Sequence, residues 1–127
     1  MSTPTSEDPI RLGPAKLISC LLPDDGTERR LLHWLRDEAG ITRVSSTYCR
    51  GHSVLRECVA RPGKLPEPTL LRLVRIIVAA DAADAIFDRI YEQAQIHRPG
   101  GGTLLMTPLS FATPYALPEG VPFEDGA

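Results

Sequence analysis

With 127 residues, a formal charge of −2, and 43% hydrophobic against 24% charged residues, the chain has the size and balance of one globular domain. The charge gives no global electrostatic drive towards nucleic acid, and no apolar run nears the roughly 20 residues that span a bilayer. Three cysteines fit a reducing compartment better than a disulfide framework, and the acidic start MSTPTSEDPIRLGP has no apolar signal core, so a cytoplasmic location is expected.

Residues 1–14 contain three prolines and few apolar groups and read as a poorly ordered arm. AKLISCLLP (15–23) then has the apolar density of a buried strand, stopped at Pro23. DDGTERRLLHWLRDEAG (24–40) reads as a helix. Asp25 and Glu28 have capping-box spacing, Leu31, Leu32 and Leu35 form its apolar stripe, Trp34 is a packing residue, and Gly40 is a stop. ITRVSSTYC (41–49) alternates β-branched and polar residues, as a second strand would. LLRLVRIIVAA (70–80) is a third strand. DAADAIFDRIYEQAQI (81–96) is a second helix capped at Asp81, with Ile86, Phe87, Ile90, Tyr91 and Ala94 on one face. TLLMTPLSF (103–111) is a fourth strand, and Pro108 argues that its later half lies on an edge or bends away. From Thr113 onward, three prolines with Glu119, Glu124 and Asp125 make an extended, acidic tail.

The order β-α-β-β-α-β defines an α+β, ferredoxin-like fold over residues 15–112, with one helix layer on an antiparallel sheet. The uncovered sheet face carries apolar residues, which calls for a covering partner and hence for oligomerisation. Between the second and third strands lies RGHSVLRECVARPGKLPEPT (50–69), where a hairpin needs about 2–5 residues. From Arg50 to Arg75 there are six Lys and Arg against two Glu, so positive charge is concentrated on a chain that is negative overall. The loop has too few apolar groups to order itself, and proteolysis is expected first at Arg56, Arg61 or Lys64.

QIHRPGGGTLLMTPL (95–109) sets Gly100, Gly101 and Gly102 between the second helix and the fourth strand. A run of glycines lets backbone N–H groups approach an anion closely, with Arg98 just before it and the Thr103 hydroxyl just after. It also suits a plain turn, because Pro99 must end the helix. It is neither a P-loop nor a dinucleotide fingerprint, since it sits at a helix exit. On the cradle reading, the loop lies outside the core, so that valine at Gly101 would block a ligand without disturbing the fold.

The element order, the long second loop and RPGGGTLLMTPL together resemble the PII family of trimeric signalling proteins over residues 15–112. The resemblance implies a homotrimer in which the loop between strands two and three docks on a target, a membrane transporter or a metabolic enzyme. It implies a nucleotide held in the cleft between subunits by Gly100, Gly101, Gly102 and Thr103, with Arg98 beside them. Arg50 and Gly51 would stand at the base of the docking loop, and Thr47 and Tyr48 would approach the same cleft. The chain departs from nitrogen-regulating members: Thr103 and Leu104 follow the glycines where those proteins have lysine, and no tyrosine lies between Gly51 and Thr69. A divergent PII-like regulator of an adenine nucleotide (AMP, ADP or ATP) or another small anion is implied, with a link to bicarbonate uptake among the family's possibilities.

A second constellation is Cys49, His52 and Cys58, whose thiolates and imidazole suit zinc or copper. The CutA family of copper-tolerance trimers shares the fold, which makes a metal-binding trimer the alternative. Cys49 and Cys58 could also form a redox pair. No enzymatic activity is expected: Asp24, Asp25, Asp81 and Asp84 sit where helix caps belong, and Ser45, Ser46 and Thr47 have no histidine adjacent in sequence.

Overall fold

A computed structural model describes residues 13–52, 55, 62–63 and 67–112. The expected arm up to residue 12, the acidic tail from Thr113, and Arg56, Cys58, Arg61 and Lys64 of the long loop lie outside the described residues. The elements run β1 (Gly13–Pro23), α1 (Thr27–Asp37), β2 (Val44–Gly51), β3 (Thr69–Ala79), α2 (Ala83–Gln93) and β4 (Thr103–Ala112). One antiparallel sheet has the order β2-β3-β1-β4, which is the expected ferredoxin-like arrangement. Pro108 falls on the edge strand β4, opposite Lys16, as a residue without an N–H requires.

Register decides which side chains meet. Ile18 lies opposite Ile76 and Met106, and Cys20 opposite Val74 and Leu104, so these residues share the face beneath the helices. They pack with Leu31, Trp34 and Leu35 of α1 and Ile90 of α2 into a single core. Each fully buried Leu or Ile contributes about 1.5–3 kcal/mol by leaving water. The Cys20 thiol belongs to this core, and burial pushes its pKa up to about 12. Trp34 bridges the helices, with the Arg89 guanidinium 4.8 Å from its ring centroid. Tyr91 departs from the expected apolar face: it is exposed and tilts against His97, with ring centroids 6.1 Å apart.

The other sheet face carries Leu17, Leu21, Leu73, Ile77, Leu105 and Leu109, and no helix of the described residues covers it. Leu105 is 51% exposed, so apolar surface is on offer there.

Three helix ends differ from the sequence reading. Asp25 and Glu28 do not form a capping box, because the N-cap is Gly26 at φ 93° and makes no side-chain cap bond. Asp25 instead accepts the Thr27 N–H (3.1 Å) and hydroxyl (2.6 Å). Glu28 turns towards the sheet, where Arg72 and Ser46 compete for it successfully. Helix α2 begins at Ala83 with no side-chain bond from Asp81, and it ends at Gln93. The Ile96 N–H reaches the Tyr91 carbonyl (3.1 Å) and the Gln95 N–H the Glu92 carbonyl (3.1 Å), with Gln95 left-handed at φ 53°. That is the Schellman pattern with glutamine in the glycine position. The helix stops there, before Pro99.

Candidate functional site

Pro23 of β1 pairs with Leu71, Leu71 with Cys49, Gly51 with Thr69, and Leu21 with Thr103. The end of β1, the end of β2, the start of β3 and the start of β4 therefore share one end of the sheet. All the sequence-predicted site residues within the described segments gather at this end, in two groups.

The first group is the glycine loop at the β4 edge. After Gln95 the chain folds back through successive turns, Arg98 N–H to Gln95 O (3.2 Å) and Gly101 N–H to Arg98 O (2.9 Å). Gly100 and Gly102 have φ of 71° and 110°, backbone that favours glycine. Gly101 is buried, and a Cβ on it would lie 2.6 Å from Gln95 O and 2.9 Å from Arg98 O. A Cβ on Gly102 would lie 2.1 Å from Leu21 O, against the backbone of β1. The expectation that this loop lies outside the core is therefore wrong for Gly101 and Gly102: the fold itself leaves no room for their side chains. At Gly100 a Cβ would meet open space. The Gly101 N–H is already used, while those of Gly100 and Gly102 have no backbone partner among the described residues.

Arg98 is committed too. Its Nη2 donates to Asp25 Oδ2 (2.8 Å) and Thr27 Oγ1 (2.8 Å), which ties the loop to the start of α1. Its Nε is buried without a hydrogen-bond partner among the described residues. Desolvation pushes the Asp25 carboxyl up, but the Thr27 hydroxyl and N–H together with the Arg98 guanidinium outweigh it and hold its pKa below the ordinary value. Arg98 thus acts first as a clasp on the loop.

The second group stands at the β2 edge. Thr47 is exposed, its hydroxyl donating to the Tyr48 carbonyl at 3.3 Å, and Arg50 and His52 are exposed beyond it. Cys49 is half-buried as a free thiol. Among the described residues no three His, Cys, Asp or Glu side chains come together as a metal site, and Cys58 lies outside them.

Sequence reading missed the polar cluster beneath this edge. Arg72 stacks on Tyr48, 3.7 Å from the ring centroid, and reaches Glu28 Oε2 at 3.2 Å and Asp24 Oδ1 at 3.6 Å. Ser46 donates to the same Glu28 carboxylate, which is buried. The signal was present: Arg72 alternates with Val74, Ile76 and Val78, and a charge at an inward strand position requires a buried counter-charge.

Thr47, Leu73, Leu21 and Thr103 form one row across all four strands. Three strand spacings put the two groups roughly 14 Å apart within one chain. They occupy opposite edges of the same sheet end.

No family model matches the chain, and no curated protein sequence matches it. Among solved structures it is similar to the PII protein of Arabidopsis thaliana bound to citrate, with 17% sequence identity and a TM-score of 0.58. The match covers 77% of this chain and 79% of that one. The chain thus has a divergent PII-like fold, as the element order and the two loops implied.

Proposed function

We propose that the chain is a PII-like regulator that binds a small anion, an adenine nucleotide, in the cleft between neighbouring copies of a homotrimer. The observation that carries this reading is the division of the candidate residues between two edge strands at one end of the sheet. Laying the β2 edge of one copy beside the β4 edge of the next would join Arg50, Gly51 and Thr47 to Gly100–Thr103. Such a contact is head-to-tail, and repeating it around an axis closes a ring. The open apolar sheet face supports the same assembly, since a ring would cover it.

In this site the Gly100 and Gly102 N–H groups meet the phosphates, Arg50 supplies the charge, and the Arg98–Asp25 clasp fixes the loop. Ligand contact with Arg50 orders the base of the basic loop and shifts its population between free and target-binding forms, a coupling of about 1–3 kcal/mol. The target is a cytoplasmic enzyme or the cytoplasmic side of a transporter, with bicarbonate uptake among the processes such a regulator serves. The citrate bound by the Arabidopsis protein supports a small anionic ligand.

Calorimetric titration with AMP, ADP, ATP and citrate tests the reading. Binding of at least one is expected, weakened about 10- to 150-fold by Arg50→Ala, the loss of one charge-assisted hydrogen bond. Flat titrations for all four, on a sample that sediments as a trimer, would reject it.

A further inference from the structure

We propose that the open sheet face holds a second ligand site, for a small amphipathic anion: a carboxylate carried on an apolar body. At the end of the sheet away from the glycine loop lies a cavity of about 540 Å³. That size falls within the roughly 300–1,000 Å³ typical of small-molecule sites. Its floor is Leu17, Ile77 and Leu109, and Arg43, Arg75 and Ser45 line it as well. Leu109 stands six residues along β4 from Thr103, roughly 20 Å from the glycine loop.

Charge points to the ligand. Among the described strand residues the open face carries no carboxylate: β1 presents Ala15, Leu17, Ser19 and Leu21, and β3 presents Leu71, Leu73, Arg75 and Ile77. The facing residues of β2 and β4 are Ser45, Thr47, Cys49 and Gly51, and Thr103, Leu105, Thr107 and Leu109. Several cations on other parts of the chain are paired: Lys16 with Asp84, Arg36 with Asp37, Arg72 with Glu28 and Asp24, and Arg98 with Asp25. Arg43 and Arg75 have neither an ion pair nor a side-chain hydrogen bond among the described residues.

The Arg43 carbonyl accepts the Ile77 N–H at 3.1 Å, which sets Arg43 diagonally across from Arg75, roughly 7–8 Å away along the sheet. Two guanidiniums at that spacing repel each other, and a carboxylate held between them would relieve the repulsion and satisfy both. Ser45, directly opposite Arg75, adds a hydroxyl. The leucine and isoleucine floor takes the apolar body. Three sheets gathered about an axis would bring three such pockets together, which strengthens the demand for a counter-anion.

The probe is octanoate, titrated calorimetrically into the full chain, with 1-octanol and acetate as half-ligands. Octanoate is expected to bind at least about tenfold more tightly than either half. Arg75→Gln, at an exposed position, is expected to lose at least about tenfold, and Arg75→Lys to recover part of it. Nucleotide titration of Arg75→Gln is expected to match the unaltered protein, which separates this site from the glycine-loop cleft. The proposal is overturned by a flat octanoate titration, by 1-octanol binding equally well, or by undiminished binding in both Arg43→Gln and Arg75→Gln.

Discussion

Alanine placed in turn at Gly100, Gly101 and Gly102 separates what the fold requires of this loop from what a ligand would require. At Gly102 two costs combine. Its φ of 110° is backbone that L side chains avoid, and the new Cβ would sit 2.1 Å from the Leu21 carbonyl oxygen. A sparsely populated backbone costs about 1–3 kcal/mol, and an overlap that must be relieved by moving backbone costs about 1–3 kcal/mol more. Because Leu21 belongs to an interior strand, the loop must give way, and a loss of about 3–4 kcal/mol is expected. Gly101→Ala meets two carbonyl oxygens without a positive φ and is expected to lose about 2 kcal/mol. Gly100→Ala faces open space at φ 71° and should lose about 1 kcal/mol from backbone alone. With a urea slope of about 1.5 kcal/mol/M, these losses move the unfolding midpoint by about 2–2.7, 1.3 and 0.7 M. The assay is urea unfolding by circular dichroism at matched protein concentration, since assembly adds to apparent stability. Three equal shifts, or a Gly102→Ala shift under 0.7 M, would refute the steric account and return the run to a flexible turn.

Arg72→Leu should destabilise by about 2–4 kcal/mol, because it leaves the buried Glu28 carboxylate without its guanidinium, and adding Glu28→Leu should recover most of that loss in the same assay. Asp25→Asn tests the clasp through pH. Since the folded carboxyl titrates below the ordinary 3.8, the stability it contributes is fully present above that value and drains away as pH falls below it. The thermal-melt advantage of the unaltered protein over Asp25→Asn should therefore hold above about pH 5 and narrow below about pH 4. Gln95→Gly should raise stability by about 0.5–1 kcal/mol in urea, because Gln95 holds a left-handed conformation that closes α2.

Much of this architecture was legible in the chain. Alternation and apolar runs located all four strands, and the proline in TLLMTPLSF marked an edge correctly. Helix ends were less legible, because local and tertiary partners compete for the same side chains. Glu28 has capping-box spacing, yet a buried bond to Arg72, forty-four positions on, outweighs a surface cap. The glycine run was legible as a special backbone, but not the reason for two of its members, which lies in the approach of Leu21, Gln95 and Arg98. The pairing of Arg98 with Asp25 joins residues that only the folded sheet brings together. The two open-face arginines that lack an ion pair among the described residues follow from register, which a one-residue slip would have turned inward.

The central claim is that one ligand site is assembled from the β2 edge of one copy and the β4 edge of the next. It is tested most directly by mixing two defective chains. Arg50→Ala removes the charge at one edge. Gly100→Asp places a carboxylate in the glycine loop at the other, at a left-handed position that aspartate tolerates and where a Cβ meets open space. At a nucleotide concentration that just saturates the unaltered protein, each variant alone is expected to fill few of its sites, Arg50→Ala because its binding is weakened about 10- to 150-fold. Unfolded together in equal amounts and refolded, they should recover about one quarter of the unaltered protein's sites, the share of boundaries at which an intact edge meets an intact edge in a head-to-tail ring. Recovery of none, from a mixture that sediments as a trimer, would contradict the shared site.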